Sequence, residues 1–311
     1  SRGLGDVYKR QGMIVFNDKG FAKPQMFLNL FISNAGLLVI AMGETIVMIT
    51  AGIDISVGSV TALVCMVAAN QMENHGASAY TALLMALVIG LLFGLVQGFL
   101  VSYLEIQPFI VTLAGMFFGR GMTSIISTDM ISIKNKTFLA WANYKIYLPI
   151  GSYSRRGKFI PAYIYPTVII AILIFIVIAI IMKYTKFGRE VYAIGGNAQS
   201  AMMMGLNVKK TKFKAYVLDG LLAGCGGFLF CLNSCSGFVE QAKGLEMDAI
   251  SASVIGGTLL SGGVGTPFGT VFGVLIKGTI SSLITTQGTL SSWWVRIALS
   301  ALLCFFIVLQ S

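Results

Sequence analysis

The chain has 311 residues and a net charge of +10, yet only 11% of it is charged and 56% is apolar. A soluble domain carries about 25% charged residues, so this composition excludes a water-soluble globule. With no basic run interleaved with base-stacking aromatics, it also gives no sign of nucleic-acid binding. Apolar runs of about 17–25 residues recur along the length, which predicts an all-α, polytopic helical membrane protein rather than a barrel of short alternating strands.

The polar, glycine-rich stretch 1–26 lacks a signal-peptide core and reads as a truncated or foreign N-terminal segment before a transmembrane domain over 27–311. Residues 27–50 predict a first helix, with Glu44 in its interior. It runs into AGIDISVGS at residues 51–59, followed by an apolar stretch (56–69) too short to span alone and a loop at 70–78. The interruption from Gly52 to Gly58, which carries Asp54 and Ser56, is therefore expected at membrane depth or at its rim. Irregular backbone is tolerated there only when it lines a cavity or is buried in protein.

Residues 79–104 form a full span with Gly90, Gly94 and Gly98 on one face, and 109–127 another with Gly115, Gly119 and Arg120. Four-residue glycine spacing lets helix backbones approach closely. The hydrophilic connection 128–161 holds six Lys or Arg, and 163–182 is the next span. In residues 183–214 seven Lys or Arg face one acid, Glu190, so this elbow must lie in water or at a lipid surface. Within it, GREVYAIGGNAQSAMMMGLNV predicts a short helix, a Gly-Gly-Asn turn and a second small-residue helix. The span 215–235 carries Asp219, and 236–247 is a loop. The segment 248–284 opens with a stretch too short to span and breaks at 261–269, where Gly262, Gly263 and Gly265 cluster. The last span, 293–309, is entered through Trp293 and Trp294 as an interfacial anchor. The result is about nine segments, two of them short and glycine-broken, a pattern that suggests an internal repeat around a central pathway. The two basic connections lie on opposite faces and nearly balance, so the positive-inside rule only leans toward a cytoplasmic elbow.

Catalytic raw material is sparse. The chain has one histidine, no clustered carboxylates and no G-x-x-x-x-G-K-[ST] phosphate loop. Its five cysteines lie in apolar runs, where a thiol packs as a small hydrophobe. No metal or cofactor is expected. Charges within apolar runs are costly and default to functional hypotheses. Asp54 and Asp248 read first as helix N-terminal caps. Glu44 and Arg296 read as pathway-lining or interhelical pairing groups.

Three stretches, AGIDISVGS, GREVYAIGGNAQSAMMMG (188–205) and DAISASVIGGTLLSGGVGTPFGTVFG (248–273), together resemble the membrane permease subunits of ribose-type sugar ABC importers. The likeness runs from about residue 21 to the C-terminus, and GTLSSWW with GGTLLSGGVGT is similar to the galactofuranose branch in particular. The resemblance implies an inner-membrane, multi-pass subunit that is no enzyme itself. Its implied partners are a cytoplasmic two-cassette ATPase, a second permease, homologous or identical, a periplasmic sugar-binding protein and membrane lipid. It also implies ten segments in the full family member, one preceding residue 27, with the termini and elbow cytoplasmic. Gly188, Arg189, Tyr192, Gly195, Gly196, Asn197 and Gly205 fall in the family's ATPase-coupling segment. Glu44, Gly52, Asp54, Ser56, Gly58, Asp248, Gly262, Gly263 and Gly265 are the pathway or helix-break candidates. The competing class is a secondary transporter or channel driven by an ion gradient, with Glu44 and Asp54 as its proton or sodium site.

Overall fold

A computed structural model describes residues 23–311, so the expected foreign or truncated segment 1–26 lies almost wholly outside the described residues. The described chain is a helical bundle: α1 (Pro24–Ile49), α2 (Val57–Asn74), α3 (Ala79–Ser102), α4 (Pro108–Ile126), α5 (Lys136–Asn143), α6 (Pro166–Tyr184), α7 (Lys186–Gly196), α8 (Ala198–Met203), α9 (Val208–Ser234), α10 (Leu245–Ile255), α11 (Pro267–Gln287) and α12 (Trp293–Gln310). Among the described residues seven of these helices are long and apolar enough to cross a membrane; α2, as long as α12 but less apolar, and the short α10 are not among them. Four strands occur among the described residues, all outside the long helices: β1 (Ile131–Ser132), β2 (Ile146–Tyr153), β3 (Phe159–Ile164) and β4 (Ser236–Gly237).

Helix starts follow local chemistry. Pro24, Pro108, Pro166 and Pro267 occupy first turns, where a missing N–H is harmless. Ser78, Asn135, Thr185, Asn197, Asn207 and Thr266 each accept a backbone N–H with the side chain, closing N-termini of α3, α5, α7, α8, α9 and α11.

At the centre, α1, α2 and α9 are buried along much of their length, whereas α12 is mostly exposed, with Leu299 buried and Leu303 and Phe306 packed against the core. The glycine stripe of α3 is what brings α9 in. A Cβ on Gly90 would meet the Gly220 carbonyl and the Gly224 backbone, and one on Gly94 would sit 2.7 Å from the Tyr216 carbonyl. The stripe of α4 serves α2 and α3 likewise, with Gly119 against Ser59 and Gly115 against Gln97.

Two sequence expectations are corrected. Residues 70–74 are not loop: α2 runs through them to Asn74. These amide and acid side chains lie at the helix's outer end, where water reaches them and polarity breaks nothing. The connection 128–161 is not merely hydrophilic: it folds as a cap in which β2 and β3 form an antiparallel hairpin and β1 pairs with β4. Glu73 Oε1 holds this cap by accepting the Lys134 and Asn135 N–H groups at 2.7 and 2.9 Å. The elbow and the cap lie at opposite ends of α6, 19 residues or about 28 Å apart.

Candidate functional site: a seated elbow and a buried carboxyl pocket

The elbow's inner face is locked to the bundle. Gly195 lies so close to the Ile49 carbonyl and the Gly263 amide that no Cβ fits between them. The Gly263 N–H donates to the Ile49 carbonyl at 2.8 Å, with Gly263 in the left-handed region (φ 79°) that favours glycine. Tyr192 donates to the Gly265 carbonyl at 2.5 Å. Glu190 accepts from Thr211 Oγ1 at 3.0 Å, tying α7 to α9. The elbow thus grips the end of α1, the turn before α11 and the start of α9 at once. Gly262, with φ 89°, packs on Ala51. The glycine-rich second break therefore belongs to the elbow's seat, where Gly262, Gly263 and Gly265 all lie.

The outer face is different. Gly196, Asn197 and Gly205 are exposed, a Cβ on Gly196 would meet nothing, and Met202, Met203 and Met204 are 61%, 82% and 71% exposed. Gly188 packs under the end of α6, and Arg189 Nη1 donates back to the Tyr184 carbonyl at 3.2 Å. Of the residues expected to couple, then, Gly188, Tyr192 and Gly195 face inward. Gly196, Asn197 and Gly205 face out, together with a methionine triplet that spacing alone did not single out.

Burial raises the Tyr192 phenol above its ordinary value of 10.0. A raised folded-state value means the neutral phenol stabilises the elbow at neutral pH. That contribution fades as pH climbs from about 10 through the folded-state value. Tyr192→Phe is expected to lower the thermal midpoint at pH 7 by an amount matching about 0.5–1.5 kcal/mol. The gap between the two proteins should close above pH 10. A gap unchanged across that range would remove the hydrogen bond from the account.

The first break builds the second half of the site. Glu44 is fully buried on α1, and its Oε1 accepts the Asp54 N–H at 3.1 Å. Asp54 Oδ1 accepts from the Ser56 N–H at 2.8 Å and the Ser56 hydroxyl at 2.6 Å, closing a turn just ahead of α2. The cap position of that helix is Ser56, with no side-chain cap bond, so Asp54 does not cap it as the sequence suggested. Gln97 on α3 donates to Ser56 Oγ at 2.9 Å. Tyr216 on α9 donates to the Ile53 carbonyl at 3.1 Å, and Gly52 leaves room for its hydroxyl. Asp219 faces the same pocket, with the Asp54 and Glu44 carboxyls as neighbours. Neither Asp219 oxygen, nor Glu44 Oε2, meets a donor among the described residues. Sequence reading noted Asp219 as a lone charge, but not that α9 brings it to Glu44 and Asp54.

Asp248 does not cap. It sits in the fourth position of α10, past the N-terminus at Leu245, and its carboxylate lies 3.7 Å from Lys277 of α11. The capping expectation fails because α10 begins three residues earlier than the apolar pattern suggested. Glu246, in the first turn of α10, lies instead against Gly58 in the first turn of α2. Arg120 of α4 donates to the Val239 and Gln241 carbonyls of the loop leading there, at 2.7 and 2.5 Å. Two short helices therefore start beside each other inside the bundle and run apart, α2 to the cap and α10 to the elbow. Arg296 Nη2 donates to the Lys243 carbonyl at 3.1 Å.

Comparison with known proteins accounts for this architecture. The family described as the permease component of branched-chain amino acid transport systems matches residues 26–308. The inner membrane ABC transporter permease protein YjfF of Escherichia coli (strain K12) is 41% identical over 94% of this chain and 85% of its own length. The fructose import permease protein FruG of Bifidobacterium longum (strain NCC 2705) is 34% identical over 91% of this chain and 81% of its own. The ribose import permease protein RbsC of Bacillus subtilis (strain 168) is 36% identical over 87% and 80%. No solved structure matches. With the resemblance read from the three sequence stretches, these matches identify a multi-pass protein of the bacterial inner membrane that is a transport component rather than an enzyme: the chain belongs to the ABC-transporter permease family that contains the ribose-type import permeases.

Proposed function

We propose that this chain is the membrane subunit through which a monosaccharide crosses inward, driven by ATP hydrolysis on a separate cytoplasmic two-cassette ATPase. A periplasmic sugar-binding protein delivers the sugar, a second permease, homologous or identical, completes the pathway, and galactofuranose is the substrate of choice. The relatives whose names state a cargo, fructose for FruG and ribose for RbsC, support the sugar class. The GTLSSWW and GGTLLSGGVGT stretches support the galactofuranose branch.

One observation carries the coupling role: the elbow is rigidly seated on α1, α9 and the α11 turn, yet leaves a solvent-facing tip at Asn197 and Met202–Met204. A body that is fixed on one side and free on the other transmits displacement. Its basic flanks, Lys183, Lys186, Arg189, Lys209, Lys210 and Lys212, suit an acidic rim on the ATPase. Gly188, Arg189, Tyr192, Gly195, Gly196, Asn197 and Gly205 then act as one coupling element. Gly52, Asp54 and Ser56 form the irregular backbone beside the pathway, flanked by Glu44 of α1 and Gly58 of α2.

The second reading, a gradient-driven carrier, draws on the carboxyl pocket, where Asp219 has no donor. One experiment separates the two. Vesicles holding the chain with its ATPase, companion permease and binding protein should take up labelled sugar only with ATP inside. Uptake under a proton or sodium gradient, without ATPase or binding protein, would sink the importer reading.

A further inference from the structure

We propose that the cavity between α11 and α12, around Asp248, Lys277, Arg296 and Trp293, is a subsite for a neutral sugar on the cap-facing half of the permease. The proposal rests on the import reading above.

Lys277 is the lone cation of α11, halfway along a helix long and apolar enough to span the membrane. A charge at that depth needs a partner or a function. Its partner, Asp248, stands at 3.7 Å, outside hydrogen-bonding distance, and both side chains keep about a fifth of their surface open, 18% and 23%. Neither group is saturated by the other. The ammonium has donors to offer, and the carboxylate has acceptors.

The open surface faces space. A cavity of about 350 Å³ is lined by Asp248, Lys277, Ser281, Ser292, Trp293 and Arg296, among others. On the other side of the same ion pair lies a second cavity of about 190 Å³, reached by Ser33 and Asn34 of α1. Two larger cavities, one farther along the same α11–α12 groove and one between α2, α3 and α4, are walled by aliphatic and aromatic carbon, with Gln97 as the one polar side chain among the residues lining them. Arg296 is fixed by its bond to the Lys243 carbonyl and by packing on Gly244, where its guanidinium fills the place a Cβ would take. Trp293 is 70% exposed one turn before Arg296.

This mixture fits hydroxyls. A sugar hydroxyl both donates and accepts, so it uses the carboxylate and the cations together, while an indole face covers the C–H face of the ring. A phosphate would be met by two cations but repelled by Asp248, which disfavours an anionic headgroup. The place also suits passage. α11 starts at the elbow, where Tyr192 holds the Gly265 carbonyl, so its far half points toward the cap.

The test uses the complete importer in vesicles, with galactofuranose and ribose as probes, and intrinsic fluorescence of the purified chain, whose tryptophans are Trp141, Trp293 and Trp294. Saturable quenching by either sugar is expected in the parent chain and should vanish in Trp293→Leu. Asp248→Asn and Lys277→Met should each cut ATP-driven uptake about tenfold, as loss of one charged hydrogen bond predicts. ATPase stimulation by the binding protein should persist, and Trp293→Phe should restore most of the uptake. Should Lys277→Met fail to insert, Asp248→Asn and the fluorescence titration still decide. Parent-level uptake in Asp248→Asn, or quenching by phosphatidylglycerol vesicles but by neither sugar, would overturn the subsite. Absence of ATP-driven uptake by the parent importer would instead strike the import reading itself.

Discussion

Gly195→Val should abolish ATP-driven uptake while the chain still inserts and accumulates. The valine Cβ would fall on the Ile49 carbonyl and the Gly263 amide, and both are backbone, so no side chain can swing aside. Overpacking of this kind costs about 1–3 kcal/mol. Here the cheapest relief is for α7 to lift off the bundle, which severs the Tyr192–Gly265 bond and the grip on α1 together. ATP hydrolysis should then continue without transport. Gly121→Ala, away from the elbow and meeting nothing within reach, should match the parent. The ratio of sugar moved to ATP hydrolysed in vesicles is the measurement, and a parent-like ratio in Gly195→Val would remove the elbow from the coupling path.

Gly90→Leu should be more damaging still, at the level of folding. The α3–α9 crossing is backbone against backbone, with Gly90 and Gly220 each standing where the other's Cβ would go. A leucine there forces the helices apart by roughly a side-chain width and takes Tyr216 and Asp219 away from the first break. The penalty should reach or exceed the upper end of about 1–3 kcal/mol for overpacking, because two helix backbones must shift. Loss of a monodisperse peak in detergent, or a large fall in thermal midpoint, is expected for Gly90→Leu and for Gly220→Leu. Gly121→Ala, on an open face of α4, should leave both unchanged. A Gly90→Leu chain of parental stability would mean that the crossing is looser than its geometry.

The long spans were legible because hydrocarbon demands continuous apolar runs, and the elbow because its charge could not share them. Its two helices were legible too, since Gly-Gly cannot pack a helix interior well and Asn197 can cap the next one. Three things were hidden. The length of α2 was lost because Asn70, Gln71 and Asn74 are polar for reasons of location, not of backbone. The cap's hairpin was lost in a stretch whose basic residues masked alternating aromatics such as Tyr147, Tyr163 and Phe159. The meeting of Asp219 with Glu44 and Asp54 depends on the packing of helices far apart in sequence, which no local pattern encodes. Lys277 did carry a signal, a single cation in an otherwise uncharged span, and its pairing with Asp248 gives that signal its meaning.

The burial of α2 beneath α9 also sets a timetable. When α1 and the Glu44–Asp54 break leave the ribosome, the helix that covers them is nearly two hundred residues away. At about 5–20 residues per second, that is on the order of ten to forty seconds of synthesis. Thr45 waits longer, since its hydroxyl partners are Ser253 and Thr270. During that interval two carboxyls and an unwound segment lie in or beside the bilayer without their protein cover. Biogenesis therefore holds a vulnerable half-made state, in which membrane chaperones and proteases compete for a nascent chain that cannot close until its second half arrives.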